Sequence, residues 1–128
     1  MSGDGAPTTG GRLRSLRCAS SGIAVMLRSQ PNAWMHAAAT VAVCVVGFVT
    51  GLSTSEWCWI VLAIVAVWTA EALNTALEFL TDIAAPAFHP LAGKAKDVAA
   101  GAVLISALGS VAIGAMIFGP RVATLWPR

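Results

Sequence analysis

The chain has 128 residues, 57% of them hydrophobic and only 11% charged, against about 25% charged in an average soluble protein. Eight basic and six acidic side chains cannot clothe a globule of that length, which excludes disorder and an ordinary water-soluble fold and points to lipid as the solvent. A net charge of +2 carries no signature of nucleic acid. Cys18, Cys44 and Cys58 form neither a CxxC pair nor an even framework, so neither a zinc site nor a disulfide scaffold is indicated.

Residues 1–11 (MSGDGAPTTGG) are small, polar and Gly-rich, and are expected to be disordered. Over 12–29, Leu13, Leu16, Ser20, Ile23 and Leu27 recur at three- and four-residue steps, with Arg12, Arg14, Arg17, Ser21 and Arg28 largely elsewhere. That pattern predicts an amphipathic helix on an anionic membrane surface, weakened by Gly22 and closed by Pro31. The first apolar run starts too late and runs too long for a cleaved signal peptide. It covers about 33–52 without a formal charge, a length suited to a ~30 Å hydrocarbon core.

A polar connector, Ser53 to Glu56, leads to a second span, about 57–85, longer than a crossing requires. Pro86 and Pro90 bracket a loop, and a third span is expected over about 98–119, ended by Pro120, with 121–128 as a tail. Ala102, Ser106, Ser110 and Gly114 make a stripe of small residues that admits a close helix neighbour. Trp34, Trp57, Trp59 and Trp126 read as interfacial anchors. The fold class is therefore all-α: one integral membrane domain over 12–120, with three spans and a surface helix. Three thin helices bury little between them, so a homo-oligomer is expected. Four arginines precede the first span, and Lys94 and Lys96 lie between the second and third. This puts the N-terminus and second loop in the cytoplasm, outweighing Arg121 and Arg128 on the other side.

Six of the charges lie between Glu71 and Asp97. Glu71, Asn74, Glu78 and Asp82 stand at i, i+3, i+7 and i+11, so the three acids fall within about 20° of one helix line, with Glu71 and Glu78 about 10 Å apart. Carboxylates within a membrane segment mark function more often than not. A carboxylate in an apolar layer gains by becoming neutral, so Glu71, the deepest, can take a proton from a hydroxyl at that depth. A carboxylate nearer water, with amide oxygens, is a hard-oxygen site of the kind Mg²⁺ accepts alongside nucleotide phosphates. Lys96 can pair with a phosphate near the start of the third span, where Gly93 allows close backbone approach. Base, metal and phosphate cation together are phosphoryl-transfer equipment. A proton-relay transporter or channel would also use the carboxylates but leaves Gly93, Lys96 and Asp97 without a task.

EALNTALEFLTD (Glu71–Asp82) followed by HPLAGKAKDVAAGAVL (His89–Leu104) resembles the small prokaryotic diacylglycerol kinase and undecaprenol kinase family of integral membrane lipid kinases. The pattern E-x-x-N-[ST]-A-x-E-x-x-x-D, a short loop, then A-K-D and a small-residue helix is met at every position. SLRCASSGI (Ser15–Ile23), Asn32 and His36 add weaker support. The resemblance runs from about Arg12 to Gly119. It implies a homotrimer in the bacterial inner (cytoplasmic) membrane, with active sites shared between neighbouring subunits and facing the cytoplasm. ATP would be the phosphoryl donor, Mg²⁺ the cofactor and a membrane lipid alcohol the acceptor.

By the same resemblance Glu71 would be the general base and Glu78 the metal ligand, with Asn74 positioning the reacting groups. Lys96 would contact phosphate, Gly93 and Asp97 would belong to the nucleotide site, His89 would flank it, and Asp82 would be a polar residue at its mouth. Gln30 departs from the pattern: family members usually carry there a Glu that serves as second metal ligand. A Gln oxygen can still coordinate Mg²⁺ with one negative charge fewer. Either the metal is then held mainly by Glu78 and phosphate, or the protein is a weaker, altered or inactive kinase with a scaffolding role. The NTA-E, HPLA and AKD-x-AAGAVL details look closer to the polyisoprenol-kinase branch, which favours undecaprenol over diacylglycerol.

Overall fold

Proline and glycine punctuate the chain into four helices. The computed structural model describes residues 9–125: α1 (Thr9–Ser29), α2 (Pro31–Thr50), α3 (Thr54–Ala84) and α4 (Pro90–Leu125), with no strand among the described residues. The last three are long and apolar enough to cross a membrane. Of the expected disordered leader, residues 1–8 lie outside the described residues, while Thr9, Gly10 and Gly11 form the first turn of α1. Once a helix is nucleated, each added residue gains a hydrogen bond, and that carries α1 through two poor helix formers. Of the expected tail, 121–125 continue α4, and 126–128, Trp126 included, lie outside the described residues.

Each helix boundary has a local cause. Pro31 forces Gln30 into extended backbone (φ −115°, ψ 113°) and itself opens α2, since its missing N–H is not needed in a first turn. Gly51 ends α2 in the left-handed region at φ 66°, while the Leu52 N–H reaches back to the Gly47 carbonyl at 3.2 Å. Ser53 and Glu56 form a capping box that starts α3, the Ser53 N–H donating to Glu56 Oε2 at 2.8 Å.

Two expectations about α4 are corrected. It begins at Pro90 rather than near 98, because a proline at the first helical position starts a helix as readily as it breaks one, and His89 Nδ1 accepts the Leu91 N–H at 3.2 Å. It also runs through Pro120 instead of stopping there. Proline removes one backbone bond at that turn, and the Arg121 guanidinium donates to the Ile117 carbonyl at 2.7 Å, supplying a donor in the same turn. At 31 and 36 residues, α3 and α4 are about 46 and 54 Å long. Both exceed a ~30 Å hydrocarbon core by several turns.

The most extensive packing is between α3 and α4. Ser106, Ser110 and Gly114 are half-buried, and Ser110 Oγ donates to the Ala63 carbonyl of α3 at 3.2 Å, which only a small-residue face permits. Ala102, the fourth member of the expected stripe, is exposed. The apolar core gathers at the α2–α3 connector, where Leu52, Ile60 and Ile117 are packed by Val43, Trp57, Ile64, Ile113 and Phe118. Glu56 and Arg121 close this end with a two-pronged ion pair at 2.8 and 2.9 Å. α1 docks only through its last turns, where Met26 is buried. Leu13, Leu16 and Ile23 of the predicted stripe stay exposed.

Gly47 is a position where only glycine fits without adjustment. A Cβ there would stand 2.8 Å from the Trp57 ring and 3.0 Å from Leu52. Gly47→Val is expected to destabilise by about 1–3 kcal/mol through overpacking. Gly47→Ala should cost less, because it regains about 0.5–1 kcal/mol of helix propensity. Thermal unfolding in detergent measures both, and a Val variant as stable as the parent would refute the close contact.

Candidate active site

At the opposite end from the apolar core, polar side chains are buried. Glu71 is 1% exposed, Asn74 6% and Thr75 4%. They share one face of α3 because 71, 74, 75 and 78 lie within about one third of the helix circumference. The Thr75 hydroxyl is occupied by the Glu71 backbone carbonyl at 2.9 Å.

Glu78, one turn further on, receives an amide donor on each carboxylate oxygen. Asn74 Nδ2 donates to Oε1 at 2.9 Å, and Gln30 Nε2 donates to Oε2. Gln30 is the single residue between α1 and α2, so the break imposed by Pro31 is what delivers its amide to α3. One turn into α2, His36 Nε2 lies 3.7 Å from Glu71 Oε2. Both Glu71 oxygens and Asn74 Oδ1 are buried without a hydrogen-bond partner. Three orphaned acceptors in one small region are costly unless a proton donor or a cation completes them.

A second group lies where α3 hands over to α4. Lys96 Nζ donates to Asp82 Oδ1 at 2.5 Å, with both side chains substantially exposed. His89, Gly93, Lys94 and Asp97 are exposed along the same stretch. A Cβ on Gly93 would meet nothing within 4 Å, so packing within this chain does not call for glycine there. Between α3 and α4 a cleft of about 880 Å³ opens, walled mainly by apolar residues such as Leu73, Leu77 and Val98, with Asn74 and Lys94 among its few polar groups. Its size is that of a ligand site.

Residues 17–118 match the prokaryotic diacylglycerol kinase family. The chain belongs to this family of lipid kinases. Over 103 residues it is 45% identical to an undecaprenol kinase of Bacillus subtilis (strain 168), across 80% of this chain and 84% of the relative. Over 114 residues it is 34% identical to a diacylglycerol kinase of a Synechocystis species, across 88% of this chain and 65% of the relative.

In this member of the family the expected site residues thus fall into two groups. Glu71, Asn74, Glu78 and Gln30 come together between α1, α2 and α3. Asp82 and Lys96 pair with one another beside His89, Gly93 and Asp97, and no hydrogen bond joins the two groups among the described residues. The donor set of the first group fits a hard cation. Glu78 with the amide oxygens of Asn74 and Gln30 offers oxygen ligands only, Asn74 Oδ1 is already free, and rotating the Gln30 amide presents its oxygen in place of its nitrogen. No group of three or more His, Cys, Asp or Glu side chains gathers among the described residues. The remaining ligands would therefore be water or phosphate oxygens, which is how Mg²⁺ is usually held. His36 also enters the site, a residue that the sequence offered only as weaker support for the family resemblance and without a role.

Proposed function

We propose that this lipid kinase transfers the γ-phosphoryl group of ATP, with Mg²⁺, to the hydroxyl of undecaprenol at the cytoplasmic face of a bacterial inner membrane. The observation that carries the reading is Glu71: a carboxylate 1% exposed whose two oxygens have no hydrogen-bond partner. Such a group is poised to accept a proton from a lipid hydroxyl. The deprotonated oxygen attacks the γ-phosphorus, the bond to ADP breaks in line, and the proton stays on Glu71. When bound, Mg²⁺ neutralises charge on the transferring phosphates. Glu78, Asn74 and Gln30 are its proposed holders, and the amide donors of Asn74 and Gln30 keep Glu78 oriented beforehand. Lys96, Gly93, Asp97 and His89 serve the nucleotide, and Lys96 must exchange its exposed Asp82 partner for phosphate.

A homotrimer with shared sites is part of the proposal. Large apolar side chains on all four helices, Phe48, Val49, Ile83 and Met116 among them, are exposed in the single chain. The nucleotide residues are unconnected to Glu71 and Glu78, and a neighbouring copy can bring the two groups together. The exposed Leu13, Leu16 and Ile23 support α1 as a surface helix. Arg121 is paired with Glu56, which leaves Arg128 as the counterweight to the four arginines and two lysines that set a cytoplasmic N-terminus. A proton relay is less well supported, since no hydrogen bond links Glu71 to Glu78.

The test is purified protein in mixed micelles with labelled ATP and Mg²⁺, offered undecaprenol and diacylglycerol separately. Label is expected in undecaprenol. Label in diacylglycerol alone moves the substrate to the other branch, and label in neither overturns the reading.

A further inference from the structure

An ionised carboxylate as buried as Glu71 has lost its water and gained no hydrogen bond in return, an arrangement that persists only where a neighbouring group completes it. The other donors nearby are directed elsewhere. Asn74 gives its amide to Glu78, Thr75 gives its hydroxyl to the Glu71 backbone carbonyl, and Trp68 gives its indole N–H to Thr40. On the facing helix Thr40 donates in turn to the His36 backbone carbonyl at 2.7 Å. That leaves the His36 side chain, which has no hydrogen bond of its own among the described residues and holds Nε2 3.7 Å from Glu71 Oε2, with 15% of its side chain accessible. The gap exceeds a hydrogen bond by less than 1 Å, and a modest side-chain rotation closes it.

We propose that His36 is a positioning residue for the transfer reaction. Its Nε2–H donates to Glu71 Oε2, fixes the carboxylate plane, and leaves Oε1 as the oxygen that takes the proton from the lipid hydroxyl. The bond from Thr40 to the His36 carbonyl and the bond from Trp68 to Thr40 tie this turn of α2 to α3, which keeps the imidazole level with Glu71. Donation requires only the tautomer with hydrogen on Nε2, leaving Nδ1 free. The proposal rests on Glu71 acting as base.

Three substitutions separate position from packing. His36→Gln keeps an amide N–H close to the place of Nε2, His36→Met keeps the volume without a donor, and His36→Asn has a donor too short to reach. All three are assayed beside the wild type and Glu71→Gln, in mixed micelles with saturating ATP and Mg²⁺ and varied lipid alcohol. His36→Met and His36→Asn are expected to lose roughly ten- to a hundredfold in kcat. Their KM for lipid and ATP should stay within about threefold, and their melting temperatures should match the wild type. His36→Gln should recover most of the loss. Wild-type kcat in His36→Met, or equal loss in His36→Gln and His36→Asn, overturns the role of His36. A loss that follows a fall in melting temperature overturns it as well. If His36→Met does not assemble, the Gln and Asn pair decides by the same contrast. A wild type that phosphorylates neither lipid overturns the kinase reading and this proposal with it, whereas an active wild type beside a fully active His36→Met removes only the second.

Discussion

Glu71→Gln is expected to lower turnover by roughly 10²- to 10⁴-fold while leaving the protein at least as resistant to thermal unfolding as the wild type. The two halves of that result have one cause. Neither Glu71 oxygen has a hydrogen-bond partner in the structure, and the donor proposed for it, His36 Nε2–H, can serve the amide oxygen of the variant equally, so the substitution replaces a buried carboxylate with a neutral amide at no loss of bonding. Residues kept at a stability cost belong to the chemistry. Nucleotide binding should persist, because Lys96 and its neighbours make no hydrogen bond to Glu71. Equal turnover in the variant would falsify the assignment of Glu71 as base, and a large drop in melting temperature would make it a structural partner instead.

Gln30→Glu should make the protein depend on Mg²⁺ for its stability. Gln30 now donates to Glu78 Oε2. The substitution exchanges that donor for a second carboxylate against the first, and two like charges at contact cannot both stay ionised without a cation between them. The variant is expected to melt several degrees below the parent in chelator, on the roughly 4–8 °C scale of a 1 kcal/mol change in a small domain, and to recover on adding Mg²⁺. Apparent affinity for Mg²⁺ and turnover at low Mg²⁺ should both rise. A variant indifferent to Mg²⁺ in melting and in rate would remove Gln30 from the metal site. The wild-type pairing also gives the glutamine a positive reason to be there: it holds the Glu78 carboxylate in place.

The carboxylate ladder was legible because it is periodic. Seven residues are nearly two helical turns, so Glu71 and Glu78 had to share a face wherever the helix packed. α4 starts ahead of the expected third span for an equally local reason: Pro90 can break a helix or start one, and only the His89 cap and the helical backbone after it decide which. What no periodicity carries is the contact between distant segments. Gln30 and Glu78 are 48 residues apart, and His36 meets Glu71 only because α2 folds back along α3. In α1 the predicted stripe described the exposed face, and docking fell to Met26, which the stripe did not include. The pairing of Arg121 with Glu56, 65 residues away, likewise turns the charge that spoke against the expected orientation into half of an ion pair.

That pair has a mechanical consequence. Five residues of chain, 85–89, join α3 to α4 at one end, and the Glu56–Arg121 clamp joins them at the other. The two helices therefore form a closed frame that resists splaying at either end. α2 meets this frame through the short connector 51–53 and the apolar cluster beside it, while its far end is held by the Gln30–Glu78 and Trp68–Thr40 hydrogen bonds and the buried Ala33. Gln30 and His36 belong to the α1–α2 elbow and Glu71 and Glu78 to the frame, so the site is assembled only where the two meet.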